Sequence, residues 1–302
     1  MGEQTASVNG IEITYEAFGS ERDPVMLMIM GLGIQMLGWD EELCRMLAGR
    51  GFRVVRFDNR DVGRSTKIEG GPRPDWGALM AGDASSASYT LSEMADDAMG
   101  LLDHLGAEVA HLVGASQGGM IAQVISIRES ERVLSLSSIM STTGNRAVGQ
   151  PHPEGLAALF SPPAPNPEAM AEWAVANWRT IGSPGFPLDE EAIRRRTMAS
   201  FERGYSPDGV ARQLAAVLAS GDRTSQLAKL RVPTLVIHGA DDPLIDVSGG
   251  EATARAIPGA KVIVIPGMGH DLPRALWPRF VDEIVANAER AQAGAAHESP
   301  AG

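Results

Sequence analysis

The chain has 302 residues, of which 44% are hydrophobic and 21% charged, with a formal net charge of −12 and one cysteine, Cys44. This composition is typical of a globular protein, and the acidity argues against nucleic acid or an anionic membrane as a partner. A single cysteine excludes an internal disulfide bond. The N-terminal sequence has no basic start followed by an apolar run, and no segment is long and apolar enough to cross a membrane. We therefore expect a cytoplasmic protein.

Short apolar segments and amphipathic segments alternate along most of the chain. Asn9-Gly10 stands between residues 5–8 and 11–17 and predicts a β-hairpin. Further strands are predicted at residues 25–30, 52–57, 109–113, 133–140, 234–238 and 261–265. Helices are predicted at residues 40–48, 91–105 (with a capping box at Thr90 and Glu93), 117–127, 247–256 and 274–288, and a long loop at 66–89. This alternation indicates an α/β fold with a mostly parallel sheet that has helices on both faces.

The alternation stops over residues 144–228, which are rich in proline and in helix-forming residues. Helices are predicted there at 154–160, 167–181, 189–203 and 207–219. The insertion begins where the sixth predicted strand ends, and ligands bind beyond the carboxyl ends of such strands, so we expect a helical cap. A helical elaboration away from the site is the alternative. The predicted organisation is a core of residues 1–143 and 229–290, a cap segment of residues 144–228, and a disordered tail of residues 291–302.

The segment Gly114-Ala115-Ser116-Gln117-Gly118 has the pattern G-x-S-x-G between a predicted strand and a predicted helix. This pattern is typical of a sharp turn that holds a nucleophilic serine above the end of a sheet. Glycines at its ends let the chain segments pass closely, and the following helix N-terminus favours developing negative charge. The alternative is a glycine-rich turn with a structural serine, which would not require an acid and a base elsewhere.

An acid and a base follow in the expected order. Asp241 and Asp242 come directly after the seventh predicted strand, and His270 follows the eighth strand on a glycine-containing loop. We favour Asp242, which precedes a proline, as the acid, and interpret Asp241 as its solvated neighbour. His270 is the predicted base that accepts the proton of Ser116, and Asp242 the carboxylate that orients it. The sequence thus predicts a Ser-His-Asp triad for acyl chemistry.

Acyl chemistry also requires hydrogen-bond donors for an oxyanion. We predict the backbone N–H groups of Gln117, which follows the serine, and of Leu32, in the loop Met30-Gly31-Leu32-Gly33. The same loop could be read as a phosphate-binding turn, but its spacing to Gly38 does not give G-x-G-x-x-G. No cluster of histidine, cysteine and acidic residues has metal-ligand spacing. We therefore expect neither a cofactor nor a metal.

Taken together, these motifs resemble the α/β-hydrolase superfamily over residues 5–288 and, within it, the branch of aclacinomycin methylesterase-like carboxylesterases. The resemblance implies a core of about eight strands, a helical cap inserted after the sixth strand, and no cofactor. Most of the superfamily has histidine at the position of Met30 and glycine at that of Asp61. Both departures are consistent with the esterase-like branch. The matching segments are Met30-Gly31, Leu37-Gly38-Trp39 and residues 57–65, 119–123 and 265–270.

A serine nucleophile excludes the chemistry of relatives that attack with a carboxylate, so we predict a serine esterase acting on carboxylic esters, such as methyl esters or lactones of hydrophobic substrates. Two alternatives use the same triad: cofactor-free perhydrolysis of the haloperoxidase type, and C–C bond hydrolysis. A non-catalytic small-molecule receptor on the same scaffold is an alternative of another class. It would not turn over esters.

The predicted partner is a small hydrophobic ester, and the predicted assembly a monomer or homodimer. Methionine and tryptophan near the predicted site suggest an adaptable apolar pocket, although any of them could be core residues. No cationic anchor is evident for an acidic substrate. The candidate pocket residues are Met30, Gly31, Met36, Trp39, Met140, Phe160, Trp173, Trp178, Leu244 and Met268.

Overall fold

A computed structural model describes residues 2–162, 164 and 166–298 of the chain, with side chains as far as residue 291. The strands are β1 (Gln4–Val8), β2 (Ile11–Phe18), β3 (Val25–Ile29), β4 (Arg53–Phe57), β5 (Ala110–Ala115), β6 (Val133–Ile139), β7 (Thr234–Gly239) and β8 (Lys261–Ile265). The helices are α1 (Glu41–Ala48), α2 (Trp76–Met80), α3 (Leu91–His104), α4 (Gln117–Arg128), α5 (Pro153–Leu159), α6 (Pro167–Ile181), α7 (Glu190–Gly204), α8 (Pro207–Ala219), α9 (Thr224–Leu227), α10 (Val247–Ala256) and α11 (Trp277–Glu298).

The eight strands form one sheet in the order β1-β2-β4-β3-β5-β6-β7-β8. The pairs β1–β2 and β2–β4 are antiparallel, and every other pair is parallel. From β3 the chain passes to β4 on one side and returns to β5 on the other. The loops that follow β3 and β5 therefore diverge at a topological switch point, where α/β sheets bind ligands.

The centre of the sheet is buried on both faces, as strand β3 illustrates. Leu27 and Ile29 face a cluster that includes side chains of α3 and α4, whereas Met26 and Met28 face a cluster that includes side chains of α1 and α11. Successive side chains of a strand point to opposite faces, so a strand between two helical layers must be apolar throughout. This requirement explains the uninterrupted apolar run that marks β3 in the sequence.

The predicted fold class is confirmed, with eight strands and a helical insertion after the sixth. Two local predictions differ from the structure. The loop predicted at 66–89 contains the short helix α2, whose first turn is capped by the Asp75 side chain accepting from the N–H of Ala78. The tail predicted to be disordered over 291–302 instead continues α11 through Glu298, and residues 299–302 lie outside the described residues. In the described ranges, no helix is long and apolar enough to span a membrane.

Between β6 and β7, the cap segment contains helices α5 to α9. Polar side chains define where its longer helices begin: Asn166, Asp189 and Ser206 each accept a hydrogen bond from a backbone N–H of the first turn of α6, α7 and α8. Its own apolar cluster is small and centres on Val175 and Ile193. Most of the burial that holds the cap segment must therefore come from its contacts with the sheet core.

Buried ion pairs connect the cap segment to the loop after β4. The Arg203 guanidinium on α7 donates to Asp58 at 2.8 Å, and Arg212 on α8 donates two hydrogen bonds to Asp61 at 2.9 and 2.7 Å. Both carboxylates are fully buried. The Tyr89 hydroxyl also donates to Asp61 at 2.6 Å. The buried Asp61 carboxylate therefore has hydrogen-bond partners that offset the cost of removing its charge from water.

Candidate active site

Ser116 lies at the turn between β5 and α4 with φ 54° and ψ −122°, a backbone conformation that side-chain-bearing residues rarely adopt. The glycines of the motif permit this turn. A Cβ at Gly114 would lie 2.2 Å from the Gly118 carbonyl oxygen, and one at Gly118 would lie 2.0 Å from that of Ile29. Both separations are too short for any side chain. The turn thus holds the Ser116 hydroxyl above the carboxyl end of β5, where it stays partly exposed.

His270 and Asp242 are aligned with this serine. The Nε2 atom of His270 lies 3.0 Å from Ser116 Oγ, and its Nδ1 atom lies 2.7 Å from Asp242 Oδ2. The other Asp242 oxygen accepts the N–H groups of Leu244 and Ile245 at 2.9 Å. These contacts fix the carboxylate and, through it, the orientation of the imidazole ring. Sequence positions far apart along the chain are brought together because all three residues follow the carboxyl ends of parallel strands.

Electrostatics favour an ionised Asp242. Burial acts to raise its pKa, but the charge and hydrogen bonds of His270 and His238 outweigh that effect and hold the pKa well below its usual range. The neighbouring Asp241 is exposed and accepts the N–H of Gly267 at 2.7 Å. Of the two carboxylates considered from the sequence, Asp242 is the one beside the histidine, and Asp241 instead supports the loop that carries it.

A second histidine, not singled out from the sequence, stands behind the carboxylate. Nε2 of the fully buried His238 lies 2.8 Å from the carbonyl oxygen of Ile245 and 3.5 Å from Asp242 Oδ2. A carbonyl can only accept, so this nitrogen carries a proton and donates it to the Ile245 carbonyl. The sequence signal that could have identified His238 is its position as the penultimate residue of β7, four residues before Asp242.

The two predicted oxyanion donors lie in segments adjacent to the serine, one at the start of α4 and one in the loop after β3. Gln117 is the first residue of α4, so its N–H has no partner within the helix. A Cβ at Gly31 would lie 3.5 Å from Ser116 Oγ, which places the loop after β3 directly beside the hydroxyl. In that loop the N–H of Gly33 is already bonded to Gln213 Oε1 at 2.8 Å. Leu32, between the two glycines, is partly exposed.

The predicted pocket residues divide into groups. Gly31 lies beside Ser116, and the Leu244 N–H donates to Asp242, as described above. Trp39, Met36 and Met268 are fully buried, so they present no surface to a ligand in this conformation. Met30 and Met140 are also buried and pack in the same core cluster as Trp39 and Met268.

The three aromatic candidates of the cap segment do not form a common wall. Phe160 is 58% exposed, and Trp173 donates its indole N–H to Ser161 at 2.9 Å. Trp178 packs against the cap segment's own cluster and lies under the guanidinium of Arg196, 5.9 Å from the ring centroid. These packing and hydrogen-bonding roles were not evident from spacing, because they depend on how the cap helices turn toward one another.

The carboxyl end of α6 and the residues that follow it form hydrogen bonds with the loop that carries His270. The carbonyl oxygen of Ile181 accepts the N–H of His270 at 2.7 Å, and the Ser183 hydroxyl accepts the N–H of Gly269 at 2.9 Å. The cap segment is therefore in direct contact with the loop of the candidate base. In the part of the chain that the structure describes, no three histidine, cysteine or acidic side chains are grouped so that they could hold a metal ion.

Comparison with known proteins decides the family. Residues 24–273 match the family described as alpha/beta hydrolase fold, which is most of the chain. The chain belongs to the α/β-hydrolase family. The match agrees with the order of the strands, the position of the inserted helices and the turn at Ser116.

Within the α/β-hydrolase family, curated relatives include two rhodomycin D methylesterases. The protein from Streptomyces sp. (strain C5) is 28% identical to this chain over 296 residues, covering 91% of this chain and 94% of the relative. The protein from Streptomyces peucetius is 27% identical, covering 95% and 99%. Among solved structures, a hydrolase from Pseudomonas aeruginosa superimposes with a TM-score of 0.70 at 26% identity, covering 94% of this chain and 97% of that one. The predicted resemblance to the methylesterase branch is confirmed.

Proposed function

We propose that this chain is a serine hydrolase that cleaves carboxylic esters through an acyl-enzyme on Ser116. The observation that carries the proposal is the alignment of Ser116 Oγ, His270 and Asp242 at 3.0 and 2.7 Å on a strained turn. Nucleophile, base and orienting acid are within hydrogen-bond reach of one another, which is the arrangement that activates a serine hydroxyl. The family and the named methylesterase relatives support ester hydrolysis as the reaction class.

In the first half-reaction, the Ser116 oxygen attacks the ester carbonyl while His270 Nε2 accepts its proton. Asp242 stabilises the resulting imidazolium and holds Nδ1 protonated, so that Nε2 is free to accept. The tetrahedral intermediate carries a negative charge on the former carbonyl oxygen. We assign its stabilisation to the N–H groups of Leu32 and Gln117, which act in a site already arranged before the charge develops.

Collapse of this intermediate breaks the ester C–O bond. His270 returns its proton to the departing alkoxide, so the alcohol leaves neutral and the acyl group stays on Ser116. Water then enters, loses a proton to His270 and attacks the acyl carbon, and the serine leaves with that proton. Each half-reaction uses the same base and the same oxyanion donors, which accounts for the acyl-enzyme without any further group.

We propose hydrophobic esters, including methyl esters and lactones, as the substrate class. The two relatives named as rhodomycin D methylesterases support a methyl ester, whose alcohol product is methanol. The partly exposed Leu32 and Leu244 flank the triad and supply apolar surface for the acyl part.

Replacing the nucleophile is the direct test. Ser116→Ala is expected to lower the turnover of p-nitrophenyl and methyl esters by roughly 10⁴-fold or more, with an unchanged melting temperature. The matched control is Ser141→Ala, which removes a buried hydroxyl beside Gly119 that makes no hydrogen bond within the described residues. This control should keep its activity. Full turnover by Ser116→Ala would refute the proposal.

A panel of acceptors and substrates separates the proposed function from its alternatives. Addition of hydrogen peroxide reports whether the acyl-enzyme transfers to peroxide as well as to water, the activity named for a bifunctional esterase/perhydrolase of Acinetobacter calcoaceticus that is 24% identical to this chain. A vinylogous 1,5-diketone reports C–C bond hydrolysis. Binding of all these compounds without turnover would instead identify a receptor, and it would contradict the proposed reaction.

A further inference from the structure

Gln213 occupies a position between the cap segment and the catalytic loops. It lies on α8, is fully buried, and makes three hydrogen bonds to the core. Its Oε1 atom accepts the N–H of Gly33 at 2.8 Å, and its Nε2 atom donates to the carbonyl oxygen of Arg60 at 2.8 Å. Its backbone carbonyl accepts from Nε2 of Gln117 at 3.0 Å. Both polar atoms of the buried amide are therefore satisfied.

Two of these contacts end on the segments that carry the proposed oxyanion donors. Gly33 directly follows Leu32, and Gln117 is the second donor itself. The loop after β3 turns sharply here, because Gly33 has φ +68° and Ile34 donates its N–H to the carbonyl of Gly31 at 3.2 Å. Val210 of α8 packs against Gly33 so closely that a Cβ on the glycine would lie 2.9 Å from it. One helix of the cap segment thus contacts both sides of the proposed oxyanion hole.

We propose that Gln213 is a positioning residue whose side chain holds the N–H of Leu32 in register with that of Gln117 for the oxyanion. The inference rests on the proposed function and deepens it, because it assigns the alignment of a site formed by the sheet core to a side chain of the cap segment. Gln213 touches neither the substrate nor the serine. By taking up the N–H of Gly33, its side chain fixes the peptide that follows Leu32. The bond from the Ile34 N–H to the Gly31 carbonyl holds the preceding peptide, which carries the Leu32 N–H, so the two bonds together set the direction in which that N–H points.

Positioning of this kind affects the transition state more than the bound substrate. The oxyanion forms only as the reaction proceeds, and a donor displaced by about 1 Å costs up to about 100-fold in rate. Loss of the Gln213 amide would leave the Gly33 N–H and the Arg60 carbonyl without their partners, so the loop would shift to find others. We therefore expect a lower kcat with little change in KM.

The test compares Gln213→Met, which keeps the length of the side chain but removes both polar atoms, with the wild-type chain. We expect kcat for an ester to fall by roughly 10- to 100-fold, with KM changed by less than about threefold. The affinity for a trifluoromethyl ketone, which adds to the serine as a tetrahedral anion, should fall by the same factor as kcat. Gln213→Glu keeps an oxygen that can accept the Gly33 N–H and should recover part of the lost rate.

Two further variants keep the test decisive. If Gln213→Met does not fold, Gln213→Asn keeps the amide but is too short to reach Gly33, and the same split between kcat and KM is expected of it. Ser206→Ala removes the N-cap of the same helix, α8, without touching either donor segment, and should leave kcat unchanged. An equal loss in Ser206→Ala and Gln213→Met, or an unchanged ketone affinity, would overturn the inference. Activity of Ser116→Ala would instead refute the proposed function, so the two failures are distinguishable.

Discussion

The sheet core and the cap segment both contribute to the candidate active site, but different interactions hold them in place. In the core, strands such as β3 are apolar on both faces, and side-chain packing together with the hydrogen bonds to the neighbouring strands fixes their position. The cap segment has only a small apolar cluster of its own. Ala216 and Leu227 join it to the main core cluster, and buried polar contacts from Arg203, Arg212 and Gln213 add to this attachment. Apolar packing tolerates adjustment, whereas a buried charge or amide requires one particular partner. Single substitutions should therefore affect the two regions differently.

The largest effect is expected at the strand ends of the core, where two adjacent carboxylates differ in their surroundings. Asp242→Asn keeps the size of the side chain but removes the charge that orients and stabilises His270, so kcat should fall by about 10⁴-fold. Asp241→Asn is the matched control, because Asp241 is exposed and its side chain accepts only the N–H of Gly267 among the described residues. Steady-state kinetics on one ester measures both variants. A greater loss in Asp241→Asn would move the acid by one residue.

This contrast also shows which parts of the molecule the sequence predicts. Ser116, Asp242 and His270 could be placed together because each follows a strand of one parallel sheet, and the carboxyl ends of such strands share an edge. The choice of Asp242 over Asp241 agrees with the contact to His270. Such placement needs only the order of strands and loops, which local apolar patterns and glycines reveal.

Contacts between the cap segment and the core could not be predicted in that way. Arg203 and Asp58 are 145 positions apart, and Gln213 and Gly33 are 180 apart, with nothing in the local sequence of either residue to indicate its partner. The sequence predicts Trp39 as a pocket candidate because it is an apolar residue near the predicted site, but it is fully buried in the core. Helix propensity predicts where the cap helices run, whereas their rotation and docking depend on long-range pairing.

The next effect in size is expected where the cap segment meets the core. Arg203→Met leaves Asp58 fully buried without its charged partner, and breaking a buried pair in this way should lower the free energy of unfolding by about 3 kcal/mol. Arg195→Met on the same helix is the control, since Arg195 is well exposed and its nearest carboxylate, on Glu191, is 3.8 Å away. Urea denaturation measures both. Equal stability of the two variants would show that the polar contacts do not hold the cap segment.

Acid should lower the stability of the protein by an amount comparable to that of Arg203→Met, and the responsible group lies in the core rather than in the cap segment. Burial in β5 lowers the pKa of His111 to about 4, from an ordinary value of 6.5. The unfolded chain then binds more protons than the folded chain between these two values, so stability falls as the pH falls through that window. At roughly 1.4 kcal/mol per pKa unit, the loss amounts to about 3 kcal/mol by pH 4.

His111→Leu should remove this dependence, and thermal unfolding followed between pH 7 and pH 4 measures it. The lowered pKa of Asp242 does not interfere, because a carboxylate with a depressed pKa loses its contribution only as the pH falls below its unfolded value of 3.8. An identical pH profile in His111→Leu and in the unaltered chain would mean that the buried histidine is not the group that titrates. The ion pairs of the cap segment would then be the next candidates for the groups that make stability depend on pH.

The prediction with the smallest expected effect tests whether the sheet core and the cap segment unfold as one unit. Thr90 and Asn166 cap the first turns of α3 and α6, and each cap is worth about 1 kcal/mol. Because α3 packs against the main core, Thr90→Ala should lower the global free energy of unfolding by that amount. Asn166→Ala should lower it by a similar amount, and it should in addition raise amide hydrogen exchange in α6 much more than in α3, since local opening there breaks fewer apolar contacts. If amide exchange in α3 and α6 instead rises by the same factor in Asn166→Ala, the two regions open only together, and the contacts of Arg203, Arg212 and Gln213 join them into one cooperative unit.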